Sequence, residues 1–194
     1  LQVAVARQGG VESFSGNAAL TLALSQRERG PDKAIRQLSG LRGVMNDVGF
    51  SADAGMVFVV AGEPGVFGEV RLFKTSDGSP IRTIQGHRDA IYAAELSPDG
   101  KLLATGSYDQ KVKLWNVETG AEVRTLQGHN DAVYDVAFHP NGQILASASG
   151  DRTVKLWNVA TGERLDTLNQ PEKEQYAVAF SLDGKRIVAQ LEAL

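Results

Sequence analysis

The sequence predicts an all-β chain: a segment of a β-propeller made of four-stranded antiparallel blades, in an incomplete ring of three full blades and two partial ones. Three observations predict it. The first is a repeat with a step of 42 residues: Gly86-His87 returns as Gly128-His129, Asp109 as Asp151 and Trp115 as Trp157. A period of about 40 to 45 residues, with Gly-His early and Trp late, is the mark of a four-stranded propeller blade. The second is the alternation of short β-rich runs with turn residues. "LLATGS", "ILASAS", "KVKLWN" and "TVKLWN" are bounded by "SPDG", "HPNG", "ETG" and "ATG", which are turn sequences. The third is that the runs carry apolar side chains on both faces, as small sheets sandwiched between neighbours require.

The register assigns each element in order. Strands near 2–7, 19–24 and 33–38 are the last three of a partial blade over 1–40. Taken alone, "PDKAIRQL" could open a helix at Pro31, but "AIRQLSG" aligns with "PIRTIQG" and "EVRTLQG" and is read as a strand. Complete blades follow at about 44–85, 91–127 and 133–169. Two strands near 176–181 and 185–190 open a last partial blade over 176–194. All of 1–194 is thus one propeller segment. The first step is 46 residues, not 42, and the extra residues in "GEPGVFGEVRLF" (Gly62 to Phe73) imply an enlarged hairpin loop. A segment cut from a ring leaves blade faces and strand edges open. Self-association is therefore expected, or completion by a second chain or by segments outside this sequence.

Composition narrows the function classes. The 194 residues hold 42% hydrophobic and 22% charged residues with net charge −3, as expected of a soluble globular chain in either cytoplasm or periplasm. Lys and Arg are scattered, so no basic footprint marks nucleic acid or an anionic membrane, and no run of about 18 apolar residues could insert in a bilayer. With no cysteine, thiol catalysis, Cys zinc sites and haem attachment have no residue to use. Three separated histidines give no metal-ligand spacing, and "GEPGVFG" precedes a strand, not the helix a phosphate cradle needs. No cofactor is expected.

These residues resemble the WD40 repeat family over roughly 33–190, most closely from Gly86 to Asn158. Both copies end in Trp-Asn where the family usually has Trp-Asp, which keeps a short polar turn residue. The resemblance implies a hydrogen-bonded set of Trp, hydroxyl, His and Asp in each blade. One set is His87, Thr105, Asp109 and Trp115; the second is His129, Ser147, Asp151 and Trp157, with Ser107 and Ser149 as alternative hydroxyls. Such sets would knit each sheet internally. Buried indole N–H groups need acceptors, which gives the arrangement its physical sense. Hydroxyl, imidazole and carboxylate are also the parts of a hydrolytic triad. Duplication with a Trp at fixed distance, and the lack of a Gly-x-Ser-x-Gly elbow, argue for structure and against an enzyme. Blade 44–85 has Leu41 and Phe73 in place of His and Trp, and the last blade has Pro171 in place of His. Both should rest on packing alone. Lys and Arg on "VKLW" and "VRTL", and His139 in its turn, read as solvated.

Tyr92, Tyr134 and Tyr176 stand 42 residues apart at the starts of first strands, and Tyr108 precedes Asp109. In a propeller these positions share one face near the channel. WD40 proteins commonly bind partners there, so the resemblance implies a scaffold that holds a peptide or protein domain on Tyr92, Tyr108, Tyr134, Tyr176 and Phe67. The alternative for the rings is channel filling. A second likeness, of "GEPGVFGEVRLF" and "LDTLNQPEKEQYAVAF" to bacterial WD40 regions attached to c-type cytochrome domains, implies instead an accessory module of a redox protein.

Overall fold

The computed structural model describes residues 18–23, 34–169 and 174–191. Every regular element among them is a β-strand. The expected strand near 2–7 and Pro171 lie outside the described residues. A two-stranded sheet pairs β1 (Ala18–Ala23) with β2 (Ala34–Leu41). Three four-stranded antiparallel sheets follow in chain order. Blade B holds β3 (Val44–Phe50), β4 (Met56–Glu63), β5 (Phe67–Lys74) and β6 (Pro80–His87). Blade C holds β7 (Ile91–Leu96), β8 (Leu102–Ser107), β9 (Val112–Asn116) and β10 (Glu122–Leu126), and blade D holds β11 (Val133–Phe138), β12 (Ile144–Ser149), β13 (Thr153–Asn158) and β14 (Arg164–Asn169). A hairpin of β15 (Gln175–Phe180) and β16 (Ile187–Leu191) ends the series. The described sheets do not close on one another.

Each core lies between sheets. One cluster joins Leu72, Ile84 and Trp115 to Ile91 and Leu103 across blades B and C; the next joins Leu114 and Leu126 to Val136, Leu145 and Trp157 across C and D. This is why the strands are apolar on both faces: burial of a side chain such as Leu contributes roughly 1.5–3 kcal/mol only if a neighbouring blade covers it.

The long stretch in blade B is not an enlarged loop. The β4–β5 ladder runs without a break from Met56↔Lys74 to Glu63↔Phe67. A tight turn closes it, with the Val66 N–H donating to Glu63 O (3.0 Å). The extra residues lengthen two strands, adding the pairs Ala61↔Glu69, Gly62↔Gly68 and Glu63↔Phe67 beyond the last pair of the matching hairpin in blade C, Gly106↔Val112.

The innermost strands β3, β7, β11 and β15 lie side by side and are fastened by side chain to backbone. Asp47 Oδ2 accepts the Ala94 N–H (3.1 Å), and Asp135 Oδ2 accepts that of Val178 (2.9 Å). Blade C has Ala93 where those strands carry Asp, and Glu95, two residues on, accepts the Phe138 N–H instead. At the outer rim Arg82 donates to the carbonyls of Thr119 and Glu118, and Arg124 to that of Ala160. Both arginines are therefore inter-blade clamps, and Arg124, on "VRTL", is not the solvated side chain expected. His139 also departs from its expected place: Nδ1 accepts the Asn141 N–H, Nε2 donates to Gly184 O (3.0 Å), and the ring meets Phe180 edge-on.

Candidate functional site

The polar residues of the repeat meet twice. Trp115 Nε1 donates to Thr105 Oγ1 (2.8 Å), which lies 2.8 Å from His87 Nε2; His87 Nδ1 is 3.0 Å from both Asp109 oxygens. In the next repeat Trp157 Nε1 donates to Ser147 Oγ (2.8 Å), Ser147 Oγ is 2.7 Å from His129 Nε2, and His129 Nδ1 is 2.9 Å from Asp151 Oδ2. The chemistry fixes the protons. A carboxylate only accepts, so Nδ1 carries the hydrogen; Nε2 then accepts from the hydroxyl, which in turn accepts from the indole. Each carboxylate also takes two backbone N–H groups, Arg88 and Lys111 on Asp109, Asn130 and Thr153 on Asp151, and so closes the hairpin above it. Ser107 and Ser149 are engaged elsewhere, donating to the carbonyls of Ala90 and Asp131.

One expectation about these sets is corrected. They do not knit a sheet internally, because His87 ends β6 of blade B while its three partners stand in blade C. His129 likewise follows β10 and reaches into blade D. Each set stitches the outgoing chain of one blade to the next. The preceding glycine allows it: Gly86 has φ +152, and a Cβ there would come within 2.7 Å of the Trp115 ring. Gly128 repeats both features against Trp157.

The electrostatics suit a structural part. Burial alone would raise the Asp109 carboxyl, but the His87 hydrogen bond, aided by the two N–H groups, holds it down to about 2. Asp151 is likewise lowered, by His129 and Thr153 against the effect of burial. Burial pushes the His129 imidazole down, against the pull of Asp151. The hydroxyls of Thr105 and Ser147 are fully buried, so neither stands open to a substrate as a nucleophile must.

Blade B replaces the set. The matching positions are Leu41, Val59 and Phe73, all buried in one cluster. Yet packing alone is not what holds this blade. Glu69 is fully buried, with Oε1 accepting from Arg71 Nε (2.7 Å), Oε2 from Gln85 Nε2 (2.9 Å), and Arg42 at 3.5 Å. Lys113 and Lys155 are buried rather than solvated; Lys113 Nζ lies 2.6 Å from Glu122 and Lys155 Nζ 4.0 Å from Asp151. Glu69 and the inner-strand Asp47, Glu95 and Asp135 were missed by sequence reasoning. For the inner-strand residues a signal was available: a lone carboxylate inside an apolar run, as in "VYDVAF" or "IYAAEL".

The tyrosines form a continuous row across three blades. Tyr176 and Tyr134 stack at 4.8 Å and 19°, Tyr134 and Tyr92 meet at 5.5 Å, and Tyr92 meets Tyr108 edge-on at 6.2 Å. Backbone bonds hold the row in place, since the Tyr108 N–H donates to Ala90 O and the Gly150 N–H to Ala132 O. These tie hairpin tips to first-strand starts. Tyr108 is 48% and Tyr176 37% exposed. Phe67 is not part of the row: it sits under the Arg42 guanidinium, 5.3 Å from the ring centroid. Among the described residues no three His, Asp or Glu side chains gather as a metal site, and no helix is long and apolar enough to cross a membrane.

The family model of the WD domain, G-beta repeat, matches residues 78–116 and 120–158. Among curated proteins, the chain is 36% identical over 66 residues to an Intraflagellar transport protein 122 homolog of Xenopus tropicalis, covering 34% of this chain and 5% of that protein. It is 36% identical over 75 residues to Eukaryotic translation initiation factor 3 subunit I of Aspergillus niger, covering 39% and 21%. The chain thus spans a small part of these relatives. The solved structure of U3-55K superposes with a TM-score of 0.68 at 26% identity, over 73% of this chain and 44% of that one, and the RRP9 WD40 repeats superpose equally well over 73% and 43%.

Proposed function

We propose that this chain, whose repeats at 78–116 and 120–158 match the WD domain, G-beta repeat model, is a non-catalytic scaffold that holds a peptide or protein domain on the face bearing Tyr92, Tyr108, Tyr134 and Tyr176. The observation that carries this reading is the row of four rings in contact, two of them more than a third exposed. Rings that merely filled a channel would be covered by their neighbours. Tyrosine offers large contact area at small entropic cost, with a hydroxyl for orientation. The Trp–hydroxyl–His–Asp sets serve this face from below by fixing the hairpins that carry Tyr108 and Gly150.

The test compares proteins captured by immobilised wild-type chain with those captured by Tyr92→Ala/Tyr134→Ala, quantified by mass spectrometry. A defined group of proteins should drop about tenfold, as loss of two hot-spot rings implies, while Tm moves by no more than about 4 °C. A lower Tm with unchanged capture would return the rings to a structural role.

A further inference from the structure

The chemistry of the partner can be taken one step further, resting on the reading above. Three of the four rings stand beside a carboxylate. Asp89 and Asp131 are three residues before Tyr92 and Tyr134, and Glu174 is two before Tyr176. Tyr176 donates its hydroxyl hydrogen to Glu174. The Asp89 side chain is fixed by the N–H groups of Gly65 (2.7 Å) and Ala90 (2.8 Å), and Asp131 by that of Ala132 (2.7 Å). In blade D the position of Tyr108 is taken by Gly150, where a Cβ would come within 3.1 Å of Asp131 and 3.2 Å of Tyr134. Its lack of a side chain leaves this aromatic–acid pair without the ring that Tyr108 sets beside Tyr92.

We propose that the tyrosine row is a binding strip for an extended peptide segment carrying Arg or Lys, whose cationic heads lie against the ring faces between Asp89, Asp131 and Glu174. Aromatic faces attract cations through their quadrupole, and an adjacent carboxylate adds a charge-assisted hydrogen bond. Burial raises the Tyr134 hydroxyl pKa, and the charged groups adding to that rise are Glu174 and Asp131, both negative. The local field at the rings therefore favours a cation. Arg88, Lys111 and Arg152 occupy the same loops, so the face is not uniformly negative. Attraction is local to the rings, and the strip selects by contact rather than by long-range steering.

The experiment selects random dodecapeptides displayed on phage against the whole chain, then measures the selected peptides by fluorescence anisotropy. Counterparts with every Arg and Lys changed to Gln are measured beside them, on wild type, Tyr134→Ala and the double variant Asp131→Asn/Glu174→Gln. The proposal expects Arg- or Lys-bearing peptides that lose about tenfold on Tyr134→Ala and about three- to tenfold on the carboxamide variant and on the Gln counterparts. Peptides without cations that still depend on Tyr134 would overturn the cationic strip and leave the tyrosine face standing as a partner site. Peptides indifferent to Tyr134, or no binders at all, would overturn both. The carboxamide variant changes no ring and no core side chain, so a folding failure cannot stand in for loss of binding.

Discussion

Blade B and blade C place different chemistry at the same three positions. The joint into blade B has Leu41, from the end of β2, with Val59 and Phe73, all apolar; the joint into blade C has His87, from the end of β6, with Thr105 and Trp115, linked by hydrogen bonds out to Asp109. Both seat a large ring against the end of the preceding outer strand. The difference lies in what the ring demands. Phe73 asks only for volume. Trp115 brings a buried N–H, and every partner added to satisfy it brings a further group to satisfy, until the chain of bonds reaches a partly exposed carboxylate. Blade B then buries a charge elsewhere, at Glu69. The fold thus tolerates either solution at the ring, provided no buried polar group is left without a partner.

Substitutions separate the two solutions. The largest effect should come from Glu69→Leu, which leaves Arg71 and Gln85 beside an apolar site; loss of about 3–5 kcal/mol in denaturant unfolding is expected. Stability within about 0.5 kcal/mol of wild type would mean that blade B does rest on packing alone. Thr105→Val keeps the shape but strands the Trp115 N–H and the His87 ring nitrogen, for a loss of about 2–4 kcal/mol. The triple change His87→Leu/Thr105→Val/Trp115→Phe copies blade B into blade C. It should cost less than Thr105→Val alone, because the stranded groups are removed together.

The pH dependence follows the same division, with smaller effects. The His129 pKa is lowered on folding, so its contribution is complete above the unfolded value near 6.5 and fades as pH falls below it. Asp109, lowered to about 2, contributes fully above about 4 and loses that contribution as pH drops towards 2. Thermal melts between pH 7 and 3 should show a falling Tm, and His129→Leu/Ser147→Val/Trp157→Phe should flatten the first part of the fall. Glu95 has the opposite sign. Burial raises its pKa to about 7, against the Phe138 N–H it accepts and with the help of Asp135 and Asp47. Its neutral form is favoured in the fold, so stability declines as pH rises through 7. Glu95→Gln keeps an acceptor for Phe138, and should raise Tm slightly at pH 8 while leaving it unchanged at pH 5. A lowered Tm at both would show that the charge itself is needed.

Much of this architecture was legible in the sequence because repetition is a long-range signal. Two tryptophans at equal spacing, each behind a Gly-His, constrain strand order in a way that no single strand does. Thr105 could not be separated from Ser107 by spacing, since both hydroxyls alternate on one strand; only the reach of Trp115 Nε1 decides. The inter-blade nature of the sets was illegible for a similar reason. His87 reads as the start of a repeat, yet in space it ends the previous sheet. Glu69 was invisible because its partners come from β5, β6 and the segment before β3, three places with no common period.

Apart from the His-centred sets, the fastenings between blades have one property in common: what they hold is main chain. Arg82 and Arg124 grip carbonyls, while Asp47, Glu95 and Asp135 grip amides, in each case on the following blade. A peptide group is the same whatever side chain it bears. A copied unit inserted into the series would therefore find its attachment points ready-made, with no matching change needed in the unit it joins. Growth of such a chain by duplication is limited less by surface compatibility than by the angle at which successive units turn.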